Sequence, residues 1–188
     1  MAWRRPGVKG MVFTEFLDMV EAEHSADFVD DLIDGCDLPS GGAYTSVGTY
    51  DHREIVTLVG ALSARTGEPV PALVQRFGGW LFGRFHTLFP DYFTRAPTLF
   101  DLLGSVDHYI HREVAKLYPD AQLPRFDTER PEPGTLVMLY RSPRGMEDLA
   151  EGLIRAAIAH YREPVELRRD TGGEAAQRGV RFVLQRAA

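Results

Sequence analysis

Cysteine is almost missing from this sequence: among 188 residues only Cys36 is one. That excludes an internal disulfide and a Cys-rich zinc site, and it points to an intracellular, cytoplasmic chain. Lysine is nearly as scarce, with Lys9 and Lys116 alone, so arginine carries almost all the positive charge. Together with abundant Ala and Gly, that bias suggests a GC-rich bacterial gene. The balance is acidic, at a net −6. A basic face that would replace counterions on nucleic acid is therefore not expected, and an anionic membrane surface is disfavoured. No run of about 18 apolar residues is present, which excludes a transmembrane helix. The opening "MAWRRPG" has two arginines but no apolar core behind them, so it makes a poor signal peptide. Residues 1–7 are expected to be a disordered extension, with the structured chain beginning near Val8. There is no internal repeat and no low-complexity tract.

What is present is an ordinary globular composition, 44% hydrophobic and 26% charged. A chain of this length can bury most of its apolar surface without staples. The first two thirds read as helices. "MVFTEFLDMVEAEH" is amphipathic, with Val12, Phe13, Phe16, Leu17 and Val20 on one face. "DFVDDLIDG" is a short helix, "DLPSGGAYTSVGTYD" a loop, and "HREIVTLVGALSARTG" a helix closed by Gly67. "PVPALVQRFGGWLFGRFHTLF" is a further helix ended by Pro90, and "TLFDLLGSVDHYIHREVAKLY" the next. After Pro119 the texture changes. "PDAQLPRFDTERPEPG" is extended and proline-rich, and "TLVMLY" is a buried strand. "SPRGMEDLAEGLIRAAIAHY" is a helix with Ser142 at its N-cap and Pro143 at its first position. "PVELRRD" and "VRFVLQR" are strands, and "DTGGEAAQRG" between them is a hairpin loop. Helices first, then strand, helix and two strands, predict an α+β fold with a small antiparallel sheet.

Two stretches carry candidate chemistry. On a wheel turning roughly 100° per residue, Leu99, Leu103, Val106, Ile110, Val114 and Leu117 form one core stripe. His111 sits on its flank with Gly104 and Ala115, small residues that leave room for something flat and wide beside the ring. By itself His111 is equally readable as a packed or solvated residue, or as half of a metal pair with His108. His24, His52, His86 and His160 sit in polar contexts. The second stretch is "YRSPR". Along an extended segment Tyr140, Ser142 and Arg144 project to one side and offer two hydroxyls and a guanidinium. A helix N-terminus following them would add free N–H groups, a set suited to a carboxylate or phosphate. The alternative is a strand end, a serine cap and a surface arginine.

Taken together, the two stretches resemble a known family. A helical histidine, Tyr118-Pro119 seven and eight residues on, "LPRF", and Tyr-x-Ser-x-Arg at a strand–helix junction are similar to the haem nitric-oxide/oxygen-binding (H-NOX) domains. The resemblance runs from about Val8 to Gln185 and includes "KGMVF", "FPDYF" and "AEGL". It implies one domain over 8–188, a distal helical lobe at about 8–68 and a proximal lobe at about 69–188, with haem b between them. His111 would be the proximal iron ligand, and its other nitrogen needs a partner that the sequence does not name. Tyr140, Ser142 and Arg144 would clamp the haem propionates, and Pro124 would press on the porphyrin. Val12, Phe16, Leu81, Phe82, Leu149 and Leu153 would line the distal side.

The resemblance also implies a ligand preference. Oxygen-holding relatives use a distal tyrosine with supporting polar residues, and here those positions read Leu149, Phe16 and Leu81. Ferrous protein is therefore expected to bind NO and CO and to hold O₂ poorly, unless Trp80 or the loop of Tyr44 and Tyr50 supplies a donor. NO would weaken the iron–histidine bond and leave a five-coordinate nitrosyl, and the helix carrying His111 would move. With the chain used up by the sensor, a separate histidine kinase or cyclic-di-GMP enzyme is the expected partner. The Cys/His zinc site that many bacterial relatives carry in the second lobe is not encoded here. The competing readings are an O₂-binding protein, a peroxidase-like haem enzyme, which would need distal acid–base groups, and a haem-free interaction module.

Overall fold

A computed structural model describes residues 7–170 and 179–187. The expected terminal extension, apart from Gly7, and the body of the expected hairpin loop at 171–178 lie outside the described residues.

The N-terminal part is built from helices whose apolar residues recur every three or four positions. In α1 (Gly10–Glu23), Phe13, Phe16, Met19 and Val20 are fully buried, while Val12 and Leu17 are half-buried. Each such side chain contributes roughly 1.5–3 kcal/mol of transfer free energy. α2 (Ala26–Asp34) starts at Ser25, whose hydroxyl accepts the N–H of Phe28 at 3.1 Å. α3 (His52–Thr66) is capped by Asp51 and closed, as expected, by Gly67 in a left-handed conformation at φ 75°. α4 (Val70–Leu88) enters through Pro69 and Pro71. The loop before α3 hides a short strand. β2 (Thr49–Asp51) pairs antiparallel with β1 (Gly7–Lys9).

The second part is a four-stranded antiparallel sheet with helices on one side. Its strands are β3 (Arg125–Glu129), β4 (Thr135–Arg141), β5 (Val165–Asp170) and β6 (Val180–Arg186), in the order β3-β4-β6-β5. Leu136, Met138, Phe182 and Leu184 bury one face of it with α6 (Leu99–Ser105) and α8 (Glu147–Tyr161). The short α5 (Pro90–Thr94) precedes α6. The fold is α+β, as expected.

α4 joins the two parts. Leu73, Phe77 and Leu81 enter the first core and Phe82 enters the second. α4 also crosses α8 very closely. A Cβ on Gly78 would meet the Leu149 carbonyl oxygen at 2.7 Å, and one on Gly152 would lie 2.1 Å from the Gln75 oxygen. Among the described residues no helix is long and apolar enough to cross a membrane.

Two expectations need correction. The helix read as continuous from Thr98 to Leu117 is α6, then a π-helical turn at Val106–Ile110, then α7 (His111–Leu117). The wider turn rotates everything after it, so the stripe begun by Leu99 and Leu103 does not continue, and Leu117 is 61% exposed. Second, α8 starts at Glu147, not at Ser142. Gly145, at φ 61°, turns the chain through a left-handed residue first, and Glu147 and Asp148 then complement the helix N-terminus.

Candidate functional site

His111 is the first residue of α7, directly after the π turn, where its backbone N–H bonds the Val106 carbonyl. Its side chain is 18% exposed. Nδ1 is buried and makes no hydrogen bond. The Asp107 carboxylate lies 3.8 Å from it, beyond hydrogen-bond range, and the Pro124 carbonyl is the other acceptor on that side. Burial pushes the His111 pKa down, against the opposing pull of Asp107 and the Pro124 carbonyl. The ring is thus held neutral at physiological pH, the form that ligates metals. His108 is exposed, and no three His, Cys, Asp or Glu side chains among the described residues group as a metal site. A metal bound by His111 must therefore arrive with its other ligands already in place, as a chelated ion does.

Tyr140 ends the buried run of β4 and is 3% exposed. Burial raises its pKa, while the Ser142 hydroxyl and the Arg144 guanidinium pull it down. The strand stops at Arg141, so strand alternation does not carry as far as Arg144. A turn brings that residue in instead, its backbone N–H donating to Ser142 Oγ at 3.2 Å. Ser142 therefore organises this turn rather than capping α8. Arg144 donates through Nη1 to the Gly7 carbonyl at 2.9 Å and through Nη2 to the Gln122 carbonyl. Its Nε is buried without a partner. Burial lowers the Arg144 pKa, against the pull of Tyr140. A half-buried guanidinium with an unspent N–H, beside two hydroxyls, is chemically an anion receptor.

Phe126, the aromatic of "LPRF", joins the two stretches. Its ring lies 6.0 Å from His111 and 5.3 Å from Tyr140. Its N–H donates to Asp107 Oδ1 at 3.0 Å. Pro124, half-buried, is two residues before it and presents its carbonyl to His111. Neither Asp107 nor Phe126 was singled out from sequence. The available signals were the four-residue spacing from Asp107 to His111, which shares a helix face, and the neighbour of Pro124.

The apolar candidates divide. Phe16 and Leu81 are core residues of the first cluster, with Val12, Leu149 and Leu153 packed against it. Phe82 belongs to the second cluster, its ring 5.4 Å from Phe93 and 5.6 Å from His160. The polar groups nearby are engaged. Trp80 Nε1 donates to the buried Glu15 carboxylate at 3.0 Å, which also takes Arg84 Nε at 2.8 Å. The Tyr44 hydroxyl donates to Glu54 at 3.1 Å, and burial first, then Glu54, pushes its pKa up to about 12. The Tyr50 hydroxyl accepts the Thr45 N–H at 2.8 Å. The contexts read as polar around three other histidines are aromatic. His24 stacks on Phe28, and His86 and His160 pack together and against Phe93.

Comparison with known proteins gives a consistent picture. A family model described as Haem-NO-binding matches residues 9–169. The unliganded Fe(II) H-NOX protein from K. algicida is 32% identical, with a TM-score of 0.87 over 96% of this chain and 97% of that one. The H-NOX from Shewanella woodyi, solved in solution with IWP-051 in the Fe(II)CO state, is 37% identical, with a TM-score of 0.82 over 96% and 95%. The S. oneidensis H-NOX in the Fe(II)NO state reaches 0.87 over 96% and 100%, but at 24% identity it is similar in fold alone. No curated protein matches the chain.

Proposed function

The chain belongs to the haem-NO-binding (H-NOX) family, whose domains are haem-based gas sensors rather than enzymes, and from that premise we propose that it senses nitric oxide at ferrous haem b and signals through His111 to a separate partner protein. One observation carries the reading. A neutral histidine without neighbouring metal ligands faces, across Phe126, an anion receptor of Tyr140, Ser142 and Arg144. Haem, when bound, supplies an iron that takes an imidazole on one face and a diatomic gas on the other, together with two carboxylates that need donors.

Each of these residues has a part in that arrangement. His111 offers a neutral ring nitrogen to the iron. Arg144 offers its free N–H, and Tyr140 and Ser142 their hydroxyls, to the propionates. Pro124 stands beside His111 on the proximal side. Val12, Phe16, Leu81, Phe82, Leu149 and Leu153 supply the apolar wall that keeps water out. The side chains of Phe16, Leu81 and Leu149 have no hydrogen to donate, and the Trp80 and Tyr44 donors are spent on Glu15 and Glu54. Bound O₂ carries partial negative charge and needs such a donor, whereas NO binds ferrous iron without one. The site therefore favours NO and CO over O₂.

Freeing His111 would release α7, and the segment following α7 is tied to the other part of the molecule. Asp120 accepts from Lys9 Nζ at 3.2 Å and from Thr49 Oγ1 at 2.7 Å. A movement of His111 is thereby passed to β1 and β2, where a partner such as a histidine kinase or cyclic-di-GMP enzyme would read it. The test is the absorption spectrum of the reduced protein with NO, with CO and in air. The reading expects NO and CO complexes and no stable oxygen complex. A stable oxygen complex would overturn the NO preference.

A further inference from the structure

The carboxylate of Asp107 stands between two groups that belong to different elements. Its Oδ1 accepts the N–H of Phe126, the second residue of β3, at 3.0 Å. The same oxygen is 3.8 Å from Nδ1 of His111. That nitrogen is buried with no hydrogen-bond partner. An unpaired buried donor costs roughly 1–3 kcal/mol, so a small rotation of the ring that closes the gap is favoured. The setting is the π turn at Val106–Ile110, a distortion that proteins place most often at functional sites. The Pro124 carbonyl is the competing acceptor, but a carboxylate bonds an imidazole N–H more strongly than a neutral carbonyl does.

We infer that Asp107 is the positioning residue of His111: its carboxylate holds the proton on Nδ1, leaves the Nε2 lone pair for the iron, and makes the imidazole a stronger donor. The inference rests on the haem reading above and deepens it. A histidine oriented in this way is held more firmly, so Asp107 sets how readily His111 is released. Because the same oxygen anchors Phe126, the state of the imidazole is also tied to the edge of the sheet. Asp107 touches neither gas nor haem and acts through His111.

The experiment compares Asp107→Asn and Asp107→Ala with the unaltered protein, each loaded with haem and reduced. Resonance Raman reads the iron–histidine stretching band, transfer to excess apomyoglobin reads haem loss, and melting of each haem-free protein reads the fold. Asparagine keeps an acceptor for the Phe126 N–H and so keeps the fold. The band is expected at lower frequency in both variants, with haem lost roughly ten-fold faster. An unmoved band in Asp107→Asn, with or without lower melting in Asp107→Ala, overturns the inference and leaves the proton to the Pro124 carbonyl. Should Asp107→Ala fail to fold, the asparagine variant decides alone. If the unaltered protein itself shows no iron–histidine band, the haem reading falls, and this one with it.

Discussion

Replacing Gly152 by alanine puts a methyl group where the crossing of α4 and α8 has no room for it. The new Cβ would lie 2.1 Å from the Gln75 carbonyl oxygen and 2.8 Å from the Gln75 Cα. An ordinary carbon contact is about 3.5 Å. Both partners are backbone, so the helices themselves must part. Overpacking of this kind costs roughly 1–3 kcal/mol. Alanine within a helix recovers about 1 kcal/mol relative to glycine. The two effects oppose each other, and the structure says that the clash wins, by roughly 1–2 kcal/mol. In a chain of this size that lowers Tm by roughly 2–8 °C. Gly60, Gly79 and Gly83 are the internal controls, because each is helical and nothing lies within 4 Å of its added Cβ. Alanine at those three positions is expected to raise Tm. The crossing also sets the positions of Leu149 and Leu153 on either side of Gly152, so Gly152→Ala is expected to weaken haem retention as well. Thermal unfolding of all four variants decides the matter. If Gly152→Ala is stabilised like the three controls, the helices do not approach as described and the reasoning fails.

Two further outcomes follow from the junction around Arg144. Arg144→Ala removes charge-assisted bonds to the Gly7 and Gln122 carbonyls, each worth roughly 1.5–3 kcal/mol before solvent screening, and should lower both apoprotein melting and haem retention. Arg144→Lys, with no planar fork, should restore melting better than retention, as a haem-titration series would read. Asp120 is held below the usual carboxylate range by the Thr49 hydroxyl first and by Lys9 second. Its folded pKa is depressed, so its contribution is present above the unfolded value of about 3.9 and is lost as pH falls through the folded value. The melting difference between the unaltered protein and Asp120→Asn should therefore be full at pH 6 and shrink below about pH 4. A difference that grows on acidification would contradict the assignment.

The parts of the fold that the sequence made legible are those governed by short-range rules. The 3.6-residue periodicity of α1, the glycine closing α3 and the apolar run of β4 were all readable. So were His111 and the Tyr140, Ser142 and Arg144 set, because motif spacing survives without coordinates. What failed was long-range or irregular. β1 and β2 have three residues each and acquire meaning only by pairing across some forty positions. The π turn has no propensity signature, yet it undoes any helical wheel drawn through it, which is why Leu117 was misplaced. Ser142 and Pro143 have the chemistry of a helix start, but Gly145 adopts a positive φ and delays α8. Asp107 could be seen near His111, but whether it meets Nδ1 depends on that same turn.

The measurement that tests the central claim most directly is the absorption spectrum of reduced His111→Gly protein, purified with and without added imidazole. The account predicts that the Soret band of the unaltered protein is lost or strongly diminished, and that imidazole, entering the space left by the side chain, restores it. A full Soret band in the variant without imidazole would contradict the account, because the iron would then be held by some other residue.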